Sequence, residues 1–146
     1  MEISGLPLHP LVVHAAVVLG PLAALTALVY AAVGRWRDRL RIPMVVVALA
    51  ATASVAAAFL SGDNFLETNP QLAAKPYVEL HEERADLLLW LTLGFGAVAL
   101  AAGWLHDRSG AVRTVLRGLL AVAALAVLVM VVLVGDAGAR AVWTAS

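Results

Sequence analysis

The chain has 146 residues, 62% hydrophobic and only 14% charged, which leaves too little polar surface to wrap a soluble domain of this size. Formal net charge is zero, so no basic surface points to nucleic acid as a partner. Cysteine is absent, which excludes disulfides, thiol catalysis, thiolate-held iron–sulfur clusters and covalent c-type haem.

The N-terminus does not read as a cleavable signal. It lacks a basic stretch, carries Glu2, and leads into an apolar run long enough to span a bilayer. Four apolar stretches, at roughly 11–33, 42–60, 87–105 and 116–135, approach the thickness of a hydrocarbon core. Each consists mainly of Ala, Val and Leu. In lipid only helices and closed barrels satisfy the backbone, and these uninterrupted runs lack the alternation of a barrel strand. The expectation is an all-α, four-helix transmembrane bundle, up-down-up-down, forming one membrane domain over residues 1–146.

The first span opens at Pro10, suited to a first helical turn, and contains His14 and Pro21, the latter expected to kink it. Gly20, Ala24, Ala27 and Ala31 form a stripe of small residues for helix contact. The first loop, 34–41, holds Arg35, Arg37, Arg39 and Arg41 against Asp38. After the second span come turn signals at Ser61-Gly62-Asp63-Asn64 and Asn69-Pro70. The loop 61–86 becomes helical from about Pro76, where Glu79, Glu82 and Glu83 suit the positive helix end. That helix is expected to continue to Leu105, with Gly94, Ala97 and Ala101 as its contact stripe. The loop 106–115 carries Arg108 and Arg113, with Arg117 just beyond, against Asp107. Gly118 and Ala121 begin a small-residue stripe on the fourth span, which ends near Gly135-Asp136.

Arginines thus concentrate in loops 34–41 and 106–115, while acids concentrate elsewhere. The positive-inside rule places both loops in the cytoplasm and both termini on the outer side. Trp36 and Trp104 then mark the inner interface, and Trp90 and Trp143 the outer one. The middle of each span lacks Asp, Glu, Lys and Arg, which argues against an ion pump or proton-coupled transporter. No hydrolytic or phosphate-binding motif is present, and no enzymatic activity of the chain's own is expected.

Histidine carries the remaining chemistry. His106, beside Asp107 and Arg108, reads as an interfacial polar residue. His9, His14 and His81 fall towards the outer side with Asp63 and Asp136. At ~1.5 Å per residue, His14, Asp136 and Asp63 lie roughly 28–31 Å above the inner helix ends, and His81 about 36 Å. Three readings follow. His14 and His81 hold a haem b axially, with His9 as substitute ligand, making a membrane redox module. Alternatively His9, His14, His81, Asp136 and Asp63 bind a divalent metal or small ligand. A third reading is a non-catalytic subunit packed against a larger membrane protein. A parallel duplication, each half beginning with a histidine (His14 and His81), is a further expectation.

The opening Gly5-Leu6-Pro7-Leu8-His9-Pro10-Leu11-Val12-Val13-His14 resembles that of a bacterial membrane family, domain of unknown function 2231. Ser61-Gly62, His81 and the segment from Gly135-Asp136 to Trp143 resemble its later signatures. In that family the last motif often has His where this chain has Asp136. Some relatives are joined to Rieske or cytochrome-like domains. The resemblance therefore implies a bacterial inner membrane, contact with lipid, and membrane electron transfer with a redox or other membrane-protein partner.

Overall fold

The computed structural model describes residues 2–3, 6–73 and 75–143. A two-residue antiparallel pairing of β1 (Glu2–Ile3) with β2 (Leu6–Pro7) precedes the helices. The long helices are α1 (Leu8–Ala32), α2 (Arg37–Glu67), α4 (Pro76–Trp104) and α5 (Gly110–Trp143). A 3₁₀ turn (Gly34–Trp36) joins α1 to α2, and the single turn α3 (Pro70–Ala73) lies between α2 and α4. All four long helices are apolar and long enough to cross a membrane. Each packs mainly on two others, giving the ring order α1, α2, α4, α5.

Hydrophobicity cannot decide which face of such a helix turns inward, because every face is apolar. Size decides instead, since association in lipid rests on close packing rather than on escape from water. The interior is built from Ala23, Ala24 and Ala27 of α1, Ala48 and Ala51 of α2, Ala99 of α4 and Ala124 of α5. Met44, Phe95 and Leu120 fill the remaining space. Large residues such as Val18, Ile42, Leu100 and Val122 point outward, as lipid-facing residues should.

The stripe expected on α1 is the packed one: Gly20, Ala24, Ala27 and Ala31 are all buried. Two other stripes were placed on the wrong face. Gly94 and Ala97 are exposed, and the packed face of α4 carries Thr92, Gly96, Ala99 and Gly103. Gly118 is also exposed, and α5 packs through Leu120, Ala124 and Val127. The expected turn at Ser61–Asn64 is helix, because α2 runs on to Glu67. There Thr68 and Asn69 side chains bond back to the Asn64 and Phe65 carbonyls, ending the helix just before Pro70. The helix read from Pro76 begins at that residue.

The bundle is internally symmetric. A step of 72 residues carries the packed positions of α1 onto those of α4: Gly20 to Thr92, Ala23 to Phe95, Ala27 to Ala99, Ala31 to Gly103. A step of 76 carries α2 onto α5: Met44 to Leu120, Ala48 to Ala124, Ala51 to Val127, Ser61 to Ala137. The halves even close each other's helix ends. The Arg41 Nε donates to the Gly103 carbonyl at 2.9 Å, and the Arg117 Nε donates to the Ala31 carbonyl at 2.6 Å. These carbonyls belong to last turns of α4 and α1, where no intrahelical donor remains and a cation complements the helix dipole. The arrangement is a parallel duplication with its axis along the bundle, and its starting histidines are His9 and His81 rather than His14 and His81.

Two predictions follow from the packing and the caps. A Cβ on Gly103 would lie 2.5 Å from Val45 Cγ2, whereas one on Gly94 meets nothing within 4 Å. Gly103→Ala should therefore cost about 1–3 kcal/mol. Gly94→Ala should be neutral or stabilise by up to ~1 kcal/mol, both read by unfolding in detergent. Arg41→Ala and Arg117→Ala should destabilise by similar amounts, about 1–2 kcal/mol each, in the same assay.

Candidate cofactor site

At the end of the bundle bearing both termini, the four long helices enclose a cavity of about 930 Å³. Its walls are apolar, with Val13 and Ala16 from α1, Val55 from α2, Ala85 and Leu88 from α4, and Val131 from α5. Asp63, Lys75 and Glu82 supply its charged groups. Two imidazoles, His9 and His81, also line it.

Each imidazole is held by the other helix of its own hairpin. The Nδ1 of His9 lies 3.0 Å from the Ala58 carbonyl of α2, and the Nδ1 of His81 lies 3.0 Å from the Val134 carbonyl of α5. A carbonyl only accepts, so each Nδ1 carries the proton and donates it. In the neutral ring Nε2 then keeps its lone pair. Neither Nε2 has a protein partner among the described residues. On the His9 side, Ser61 Oγ sits 3.2 Å from Nδ1 and itself donates to the Ala58 carbonyl at 3.0 Å. The Phe65 ring stacks on His9 with centroids 6.3 Å apart and planes 15° apart.

Glycine makes room for both rings. A Cβ on Gly62 would lie 2.9 Å from His9 Cε1, and one on Gly138 would lie 3.1 Å from His81 Cε1 and Nδ1. Each ring therefore lies directly on the backbone of the neighbouring helix. The steps that superpose the halves also carry His9 to His81, Ala58 to Val134 and Gly62 to Gly138. Equivalent positions of the two halves thus line the cavity, each contributing one imidazole.

His14 is not part of this arrangement. It is exposed, its Nδ1 bonds the Pro10 carbonyl of its own helix at 2.5 Å, and it does not line the cavity. Counting rise along the helix gives its height but not its direction. Five residues beyond His9 turn the side chain roughly 140° away from it. Asp136 is exposed as well, its carboxylate accepting from Arg140 Nε at 3.0–3.1 Å, and it lies outside the cavity lining. Asp63 lines the cavity but is exposed. Among the described residues no three His, Cys, Asp or Glu side chains come close enough to hold a metal ion. The set His9, His14, His81, Asp136 and Asp63 is therefore not assembled as a metal cage.

Gly62 and Gly138 were not recognised as parts of a site from sequence. The signal was present, because Ser61-Gly62 and Ala137-Gly138 stand one repeat apart, but it shows only once His9 replaces His14 as the reference residue. Gly5 of the opening motif lies outside the described residues.

No curated protein and no solved structure matches the chain. A family model does match, over residues 5–146, and its description is that of a predicted membrane protein. The chain is a multi-pass membrane protein that belongs to the DUF2231 family.

Proposed function

We propose that this protein is a membrane redox module that holds one haem b between His9 and His81. The observation that carries the reading is the pair of symmetry-related imidazoles, each with its Nδ1–H fixed on a backbone carbonyl and its Nε2 unpartnered. Histidines that ligate metals commonly have their other ring nitrogen fixed in this way, because the bond sets the tautomer and aims the lone pair. His9 and His81, one from each half of the bundle, are the residues that would hold the haem iron. The cavity, about 930 Å³ and apolar, falls within the roughly 300–1,000 Å³ usual for small-molecule sites. Two imidazoles without further ligands close by suit haem better than a bare divalent ion, which needs additional donors.

Bound haem would supply one-electron transfer. The chain's residues supply position and an apolar surround: Ala58 and Val134 carbonyls orient the rings, Gly62 and Gly138 admit them, and valines and leucines line the walls. The positive-inside rule supports a bacterial cytoplasmic location for the arginine-rich end of the bundle. The cavity then opens on the outer face of the inner membrane, where a redox partner would exchange electrons with it.

The test is the absorption spectrum of detergent-purified protein, oxidised and reduced, from cells supplied with haem precursor. Wild type should show a Soret band and sharp reduced α-bands. His9→Ala and His81→Ala should each lose the low-spin signature, and His14→Ala should keep it. Gly62→Ala and Gly138→Ala should fold but bind haem at least tenfold more weakly, because the new methyl displaces the ring. A featureless wild-type spectrum overturns the proposal; stoichiometric zinc or copper in the same sample would point to the metal reading instead.

A further inference from the structure

The arginine-rich end of the bundle holds one cluster that the duplication does not repeat. Tyr30 of α1, 2% exposed, donates its hydroxyl proton to the Ala102 carbonyl at 3.1 Å. The same hydroxyl lies 2.9 Å from His106 Nδ1, and His106 Nε2 lies 3.0 Å from Asp38 Oδ1 of α2. The His106 side chain is only 9% exposed, while that of Asp38 is 93% exposed. The symmetry-related positions are Ala102, Gly34 and Thr114, none of which can reproduce the network. What both halves share builds the scaffold; this cluster was added to one side only.

Counting protons shows what the ring needs in order to make all three bonds at once. A hydroxyl has one proton, and the Ala102 carbonyl can only accept, so Tyr30 donates there. His106 Nδ1 must then donate to the Tyr30 oxygen. The Asp38 carboxylate also only accepts, so Nε2 must donate to it. All three hydrogen bonds exist together only when both ring nitrogens carry protons. A neutral ring has one proton fewer and breaks one of the three.

We infer that Asp38, His106 and Tyr30 form a proton-operated clasp joining the connection between α1 and α2 to the connection between α4 and α5. With the proton in place, His106⁺ pairs with Asp38 and holds Tyr30 on the last turn of α4. When the proton leaves, Tyr30 swings its own proton to Nδ1, and the Ala102 carbonyl loses its donor. Ala102 lies in the last turn of α4, so the loss loosens that end of the helix. The other charged groups about the clasp are Arg37 and Arg41 of α2, Arg117 of α5, and Asp107 beside the histidine. Arg117 is committed to the Ala31 carbonyl, and Arg41 to Gly103 and to Asp107 at 3.7 Å. Protonated, the ring completes all three hydrogen bonds; neutral, it completes two, so the clasp adds less to stability once the proton has left.

The experiment uses the full chain in detergent or nanodiscs. Histidine-labelled ¹⁵N spectra, with His106 assigned by its loss in His106→Gln, should show both ring nitrogens protonated at about pH 5.5 and one released by about pH 8. Thermal unfolding over the same range should show the wild type losing several degrees relative to Tyr30→Phe and Asp38→Asn as pH rises. His9, His14 and His81 are common to all three proteins and cancel in that difference. A neutral His106 at the acid limit, or parallel pH profiles for wild type and both variants, would overturn the inference. The wild-type spectra alone decide it if the variants fail to fold.

Discussion

Between two apolar helices in a bilayer, water is not there to drive association, so contact must come from backbones that can approach closely. That constraint sets the composition of every inward face here. Alanine is the commonest core residue, and many of the larger residues are left to the lipid. The usual arrangement of a soluble domain, bulky residues inside and small ones outside, is reversed. Phe95, Met44 and Leu120 stand inside only where four neighbouring faces leave space for them.

The same absence of water governs the polar atoms. Buried hydroxyls bond backbone carbonyls: Thr92 the Leu88 carbonyl, Ser61 the Ala58 carbonyl, Tyr30 the Ala102 carbonyl. The helix-terminal carbonyls of α1 and α4 are met by arginines from α5 and α2. Against this background the two free Nε2 atoms of His9 and His81 stand out. Both rings are only partly buried and line the apolar cavity, unlike the hydroxyls of Thr92 and Tyr30.

Much of the fold was legible in the chain. Four apolar runs fixed the number of helices, and Pro76 marked where α4 begins. Three things were not legible, each for a physical reason. The faces of α4 and α5 could not be chosen, because glycine and alanine occur all round a lipid helix and Gly94 looks no different from Gly96. The end of α2 was misread, because Ser61-Gly62-Asp63-Asn64 has turn chemistry but is held helical by packing, with Ser61 buried. Which histidines line the cavity could not be chosen, because an apolar setting drew attention to His14 ahead of His9. What counts is direction round the helix, and only the carbonyl at Ala58 and the glycine at Gly62 reveal that His9 is the residue turned inward.

The crossed arginine caps make each hairpin incomplete by itself. The first helix of each ends in a carbonyl that is met by the other hairpin's arginine. A two-helix half standing alone would leave that helix end open and would bring only one imidazole to the cavity. The connection between α4 and α5, 105–109 against 33–36 in the other hairpin, is where His106 departs from that reciprocity.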